Sequence, residues 1–421
     1  MSLSKLTLLI LLLSCWLASP VWAAPELADT ASFQVEAATR HYLNTLTPTQ
    51  KANSDAYFEG GYWLQLWEIL YALGVAAAFL GLGLSRQMKT WTARLPGKAL
   101  PTFAYAALYL LLSYLLTFPL SVYKNYFREH HYGLSNQSFG EWLGDDLKGL
   151  ALSLVFGSLL LLALYAAIRR TGRRWWLWAT AITATFLVLQ TFVAPVFIKP
   201  LFNHYTTLPA GPIRNQILSM ARANSVPADN VYLFDASKQT KRISANVSGL
   251  GSTIRVSLND NLLERCSPAE VQAVMGHELG HYVLNHIEKM MIYFALLLAL
   301  GFGTVNWALH QLLARYGTRW NITGLADIGS LPLLVVLFSA YYFLATPIFN
   351  NVIRTQELEA DIFGLNAARQ PDAFASVAMK LSEYRKIEPG PWEEFFFFDH
   401  PSGHTRVLTA MRWKAEQSKA Q

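Results

Sequence analysis

The chain has 421 residues, of which 53% are hydrophobic and only 15% are charged, and its mean hydropathy is +0.24. Soluble globular domains average about 45–50% apolar and about 25% charged residues, so this composition excludes an ordinary soluble protein and indicates an integral membrane protein. The net charge of +6 does not indicate a nucleic-acid partner, because the basic residues cluster beside hydrophobic stretches and the sequence shows no nucleic-acid motif.

Residues 1–24 have the pattern of a secretory leader, with Lys5 as a basic start, an apolar core over residues 6–13 and a cleavage point before Ala24. The alternatives are an uncleaved first span or anchor, and lipidation at Cys15. Because only one other cysteine is present, neither a disulfide framework nor a cysteine metal site is predicted.

Six apolar stretches follow a polar segment, residues 25–60, which is predicted to be exported. A helix needs about 20 apolar residues to cross a bilayer. The predicted spans are residues 62–84, 102–123, 147–168, 175–197, 291–313 and 331–349. The membrane part therefore comprises residues 61–198, with four spans, and residues 291–350, with two. The regions 199–290 and 351–421 are too hydrophilic to cross.

Basic residues cluster in three connections between spans. They are Arg86, Lys89, Arg94 and Lys98 in the first, Arg169, Arg170, Arg173 and Arg174 in the second, and Arg315 and Arg319 in the third. Since Lys and Arg are enriched on the cytoplasmic side, these connections are predicted to be cytoplasmic. Residues 199–290, the C-terminal region and an acidic loop near Asp145 then face the periplasm of a bacterial inner membrane.

The region 199–290 contains the motif His-Glu-x-x-His. On a helix, residues four apart lie on one face, so His277 and His281 can bind one zinc ion, and Glu278 lies beside them as a candidate base. A chance match in a chain this long has a probability of about one per cent. A helix is indicated because Ser267 and Glu270 have the spacing of a capping box, with a proline at the first helical position.

A catalytic zinc site needs a third protein ligand, and the acidic sequence after the sixth span offers one. If residues 354–361 are helical, Glu357 and Asp361 share a face, and Glu359 points roughly the opposite way. Glu357 is therefore predicted to be the third ligand, and Asp361 to accept a hydrogen bond from a ligand imidazole. The alternative is a solvated acidic face near the membrane.

The other histidines give weaker signals. His286 follows the first motif histidine by nine residues, about 180° round a straight helix, and is not predicted to share its metal. Surface or loop positions are predicted for His130, His131, His400 and His404. The aromatic run Phe395–Phe398 is predicted to pack in the core or at an interface.

Several segments together resemble the CAAX prenyl protease type I metallopeptidases. Residues 277–286 are similar to the HELGHxxLxH helix of that family, residues 357–361 to its E-x-x-A-D element, and residues 133–137 to a loop ending in G-F-N-Q. The resemblance covers roughly residues 105–410, and the two metal elements occur in the family's order with two spans between them.

This resemblance implies an all-α integral membrane protein, in which a ring of transmembrane helices surrounds a large chamber and carries a small α+β zincin-like catalytic portion with one zinc ion. It also implies that His400 and Arg406, which match the family's H-P-P-x-x-x-R element with Ser402 in place of the second proline, bind substrate and stabilise the tetrahedral intermediate. Asn246, in a segment similar to the family's substrate-binding edge strand, would contact the substrate.

The sequence thus predicts an integral membrane zinc metalloendopeptidase that acts on peptide or protein substrates beside membrane lipid. His277, His281 and Glu357 would hold zinc, Glu278 would act as general base and His400 would stabilise the oxyanion. The eukaryotic family members have their catalytic side towards the cytosol. Because the charge pattern here indicates the opposite side, membrane-associated or misfolded polypeptides are expected as substrates rather than prenylated ones.

Two other classes are left open. A site-two-type intramembrane metalloprotease would need an aspartate ligand in an N-P-D-G or L-D-G setting on a later membrane helix, and the sequence contains no such element. A transporter with an incidental metal site would carry polar residues inside its spans, whereas the predicted spans contain few charges. The sequence does not indicate an oligomeric state.

Overall fold

The computed structural model describes residues 33–249 and 254–420, so the predicted leader with Cys15 lies outside the described residues. The described α-helices of six or more residues are α1 (Val35–Leu43), α2 (Pro48–Gly81), α3 (Leu84–Thr92), α4 (Ala99–Val122), α5 (Phe139–Leu152), α6 (Ser158–Thr171), α7 (Trp175–Val193), α8 (Pro212–Ala223), α9 (Asp260–Arg265), α10 (Pro268–Val283), α11 (His286–Tyr316), α12 (Leu331–Ala368), α13 (Pro371–Leu381), α14 (Pro391–Phe397) and α15 (Gly403–Ala420). The strands are β1 (Tyr205–Thr207), β2 (Val231–Phe234), β3 (Ala245–Ser248) and β4 (Arg255–Asn259).

Five helical segments of the described chain are long and apolar enough to cross a membrane. Three of them contain the second, fifth and sixth predicted spans, and a fourth, Pro48–Gly81, contains the first except for its last three residues. The remaining segment, Phe139–Leu201, has 63 residues and contains both the third and the fourth. The helix is interrupted at Gly172, which has φ 53°, and α6 and α7 pack against each other on either side of this turn. The chain is therefore a multi-pass membrane protein.

The structure differs from the sequence prediction in the described part of the polar segment, residues 33–60. Part of this polar stretch belongs to the first membrane helix, because α2 begins at Pro48 behind a capping box between Thr47 and Gln50. The helix α1 packs against α15, and Leu43 is buried with Val407 in the same apolar core. A helix that continues beyond the bilayer becomes polar without ending, so polarity alone did not reveal its true start.

Polar contacts show which connections between the membrane helices lie at the same end of the membrane part. At one end, Lys89 Nζ lies 2.6 Å from Asp327 Oδ2, and Arg169 donates a hydrogen bond to the first turns of α4. At the other end, Gln239 Nε2 donates to Asp145 Oδ2 at 2.9 Å and joins the acidic loop to the catalytic portion. The basic connections thus lie opposite the catalytic portion, as an alternating topology requires.

Helices α2, α6, α7, α11 and α12 surround a cavity of about 660 Å³ within the membrane part. Its wall includes Gln65 and Glu68 of α2 and Thr183 of α7 among mainly apolar side chains. The helices pack around large buried residues such as Tyr165 and Trp175. The predicted ring of membrane helices around a chamber is confirmed.

The region between α7 and α11 contains a sheet with the strand order β1-β2-β4-β3. The strand β2 is parallel to β4, and the pairs β1–β2 and β3–β4 are antiparallel. The helix α10 packs against this unit through Met275 and Leu279, which are fully buried together with Val256 and Leu258 of β4. The predicted small α+β portion is therefore present, with β3 at an edge of the described sheet.

Candidate active site

The helix α10 carries the His-Glu-x-x-His motif and begins at the predicted cap. The Ser267 side chain accepts from the Glu270 N–H, and a Glu270 carboxylate oxygen accepts from the Ser267 N–H at 2.7 Å. The same carboxylate is buried and forms a 2.8 Å ion pair with Lys380 of α13. The predicted helix is confirmed, and its start is fastened to a neighbouring helix.

The helices α10 and α12 cross closely because small residues line both of them. Gly276 and Gly280 of α10 face Ala360 and Gly364 of α12. A Cβ atom added at Gly364 would lie only 2.7 Å from the backbone nitrogen of His277. This crossing, which brings the α12 carboxylates to the motif, was not predicted, although the pairs of small residues four apart are visible in the sequence.

Three side chains from these two helices converge. The Nε2 atoms of His277 and His281 are 3.1 Å apart, and the two carboxylate oxygens of Glu357 each lie 3.4 Å from one of them. Tetrahedral zinc with bonds of about 2.0–2.1 Å holds its ligand atoms about 3.3 Å apart. The donor set and its spacing therefore fit one zinc ion.

Asp361 and Arg406 lie behind these three residues. Asp361 is fully buried, with Oδ1 2.8 Å from His277 Nδ1 and Oδ2 3.0 Å from Arg406 Nε. Arg406 also donates to Glu357 Oε2 at 3.1 Å. Burial alone lowers the pKa of His277, but the carboxylates of Asp361 and Glu357 outweigh it and raise that pKa to about 10. The Arg406 guanidinium thus contacts the carboxylates of the site, whereas the resemblance implied a contact with substrate.

His286 lies where a straight helix would not place it. Asn285 adopts a left-handed conformation with φ 54° between α10 and α11, so the chain changes direction before His286. His286 Nδ1 lies 2.9 Å from His281 Nδ1, and His286 Nε2 lies 3.0 Å from Glu359 Oε2. The expectation that His286 lies about 180° away from the motif is wrong. His286 stays outside the cluster of His277, His281 and Glu357, and it contacts Nδ1 of His281, the ring nitrogen that points away from the cluster.

A cavity of about 290 Å³ borders the cluster. Glu278 and His400 both line it, together with Ser244 and Ala245 at the start of β3. Burial raises the pKa of Glu278, and the two motif histidines offset this only in part. The candidate base thus faces the space that a substrate would occupy.

His400 reaches the site although local sequence did not place it there. Its Nε2 lies 3.3 Å from Glu357 Oε2, and its Nδ1 lies 2.8 Å from Asp399 Oδ1. Asn246 lies on β3 and pairs with Ser257 of β4. It directly follows Ser244 and Ala245, which line the cavity. The structure therefore brings His400 to the cluster and leaves Asn246 at its margin.

Two family models match the chain. One is described as peptidase family M48 and matches residues 207–414, and the other, described as CAAX prenyl protease N-terminal, five membrane helices, matches residues 36–204. The Bacillus subtilis protein named uncharacterized metalloprotease YhfN is 30% identical over 331 residues, which is 78% of each protein. CAAX prenyl protease 1 of Saccharomyces cerevisiae is 27% identical over 73% of this chain and 71% of its own length. The crystal structure of S. mikatae Ste24p shares the fold, with a TM-score of 0.74, 19% identity and coverage of 97% of each chain.

Proposed function

Because this chain belongs to peptidase family M48 and is a membrane metalloprotease, we propose that it cleaves peptide bonds with one zinc ion held by His277, His281 and Glu357. The main observation in support is that α10 and α12 bring together three side chains whose donor atoms have the spacing that zinc requires, beside a cavity that Glu278 lines. The family does not favour the site-two-type protease or the transporter as alternatives.

When bound, the zinc ion supplies Lewis-acid chemistry, since it polarises the scissile carbonyl and makes water more acidic. Glu278 takes the proton of the attacking water and passes it to the leaving amine. His400 donates from Nε2 to the developing oxyanion when its ring is protonated. Burial lowers the pKa of His400, and the Asp399 carboxylate, which accepts from Nδ1, offsets this only in part.

Each of the two motif histidines has its own support. The carboxylate of Asp361 accepts from the outer nitrogen of His277. Glu359 supports His281 indirectly, through the ring of His286. His281 donates from Nδ1 to His286 Nδ1, and His286 donates from Nε2 to the Glu359 carboxylate. Such partners fix the ring orientation and leave Nε2 free to bind a metal ion.

The proposed location is a bacterial inner membrane, with the catalytic portion on the periplasmic side. The positive-inside distribution supports this orientation, and so do the contacts that group the basic connections at the opposite end. Prenylated cytosolic proteins do not reach that side. Membrane-associated or misfolded polypeptides are therefore the proposed substrates, and the substrates named for the CAAX prenyl protease relatives are not assigned to this chain.

The substitution Glu278→Gln tests the mechanism, because it removes the base and keeps the shape of the side chain. We expect the purified variant to retain one zinc ion per chain and to lose hydrolysis of a casein-like substrate by about 10²–10⁴-fold. The matched variant His281→Ala should lose both zinc and activity, and zinc should restore the activity of chelator-treated wild type. Undiminished proteolysis by Glu278→Gln would defeat the proposal.

A further inference from the structure

The helix α14, with most of the aromatic run, lies where the sixth membrane span ends. The apolar part of α12 runs from Leu331 to residue 349, which is about 28 Å at 1.5 Å per residue and close to the ~30 Å hydrocarbon core of a bilayer. Directly beyond this point, Asn350 Nδ2 donates to the carbonyl of Phe396, and Asn351 Nδ2 donates to the carbonyl of Phe395, each at 2.9 Å. The end of α14 is thus fastened to α12 at the membrane boundary.

The first membrane helix places α14 at the same level independently. The helix α2 ends at Gly81, next to the first basic connection, and Gly61 lies about 30 Å from Gly81 along this helix. The next residue, Tyr62, stacks on Phe397 with ring centroids 3.9 Å apart, and its hydroxyl donates to Glu393 Oε1 at 2.8 Å. Two helices that cross the membrane thus give the same boundary, and α14 is bound to both of them there.

The outward face of α14 is aromatic. Trp392 is 76% exposed and Phe396 is 43% exposed, and the two rings lie one turn apart on one face with centroids separated by 6.4 Å. Trp63 is exposed at the same level of α2, and Trp67 is exposed about one turn further into the membrane; both lie on the face away from the chamber-lining residues of α2. Tryptophan at this depth is typical of the head-group region of a bilayer, so the lipid-facing surface of α2 continues onto α14.

We propose that α14 binds the lipid head-group boundary through Trp392 and Phe396 and thereby sets the height of the active site above the membrane. The chain leads directly from α14 to His400. On the uninterrupted helix α12, Glu357 lies about 10 Å beyond Asn350. An extended peptide covers that distance with about three residues. The inference rests on the proposed protease function, and it names as substrate a polypeptide anchored in the same bilayer and cut about three residues beyond its membrane segment.

A depth measurement tests the lipid contact. A fluorophore is attached at Trp392→Cys in a Cys15→Ser chain, whose remaining cysteine, Cys266, is buried, and the protein is placed in phospholipid nanodiscs with a nitroxide at the upper acyl chain. The matched label is at Glu264→Cys, an exposed position on α9. We expect strong quenching at position 392 and at least fivefold less at position 264. Equal quenching at both positions overturns the proposal.

A substrate series tests the height. A peptide with one transmembrane helix and a repeated cleavable sequence is added to the same nanodiscs, and the cut is mapped by mass spectrometry. We expect the main cut about three residues beyond the helix, and the same distance after five residues are inserted there. The double variant Trp392→Gln/Phe396→Gln should spread the cuts and lower the ratio of anchored to soluble peptide hydrolysis about fivefold, whereas Trp91→Gln, exposed on α3 at the other end, should change neither.

The two possible failures can be distinguished. If the soluble form of the peptide is not cut by the wild-type protein, the proposed protease function fails. If the soluble peptide is cut and the anchored peptide is cut without regard to its distance from the membrane, the protease function stands and the height-setting role of α14 is overturned.

Discussion

Gly364→Ala should separate the two helices that form the metal site. The added Cβ would lie 2.7 Å from the nitrogen and 3.0 Å from the Cα of His277, and ordinary contact begins near 3.4 Å. Because both neighbours are backbone atoms, α10 and α12 must move apart by about 0.7 Å, more than the ~0.2 Å that metal–ligand distances tolerate. We expect zinc affinity to fall about 10–100-fold, about 1.4–2.7 kcal/mol. Overpacking should lower the free energy of unfolding by about 1–3 kcal/mol, offset in part by the better helix propensity of alanine.

The assay is zinc competition with a chelator of known affinity, followed by thermal unfolding of the metal-free and zinc-loaded protein. Gly149→Ala on α5 is the matched control, since nothing lies within 4 Å of the Cβ that it would add. It should leave zinc affinity unchanged. If Gly364→Ala binds zinc as tightly as wild type and unfolds at the same temperature, the close crossing does not determine the geometry of the site.

Three further predictions concern the supports of the site and the topology. Asp361→Asn and His286→Ala should each weaken zinc binding about 10–100-fold in the same competition assay, because the first removes the negative charge beside His277 Nδ1 and the second removes the ring beside His281 Nδ1. Glu270→Gln should lower the free energy of unfolding by about 2 kcal/mol at pH 7, because it breaks the buried contacts of this carboxylate with Lys380 and the helix cap. Burial alone would raise the pKa of Glu270, but these partners outweigh it and lower that pKa. The stabilisation by Glu270 is therefore complete above about pH 4.3, the pKa of a free glutamate, and is lost as the pH falls through the lowered pKa. Denaturation at several pH values should show that the difference in stability between Glu270→Gln and wild type shrinks in acid. Reporter fusions near residue 230 should be active only with a periplasmic reporter, and strong activity of a cytoplasmic one would contradict the proposed orientation.

The elements that local sequence determines were predicted well. Long apolar stretches identified the membrane helices, and the capping box at Ser267 identified the start of α10. The spacing of Glu357 and Asp361 placed both on one helical face, because the period of a helix is a local property. The true length of α2 was not predicted, since its first turns are polar and hydropathy does not show their start, which the capping box between Thr47 and Gln50 marks.

The positions of His286 and His400 depend on tertiary structure and could not be derived from spacing. A residue nine places after His277 approaches the motif only if the helix breaks between them, and here Asn285, which is not a glycine, takes a positive φ. That conformation is uncommon for a residue with a side chain, and it persists where the surrounding packing compensates its cost. His286 supplies part of that compensation, because it is only 2% exposed and is held between its neighbours on α10 and α12. His400 in turn reaches the cluster because α14 is fastened to α12, so its place follows from contacts between residues that are about 45 positions apart in sequence.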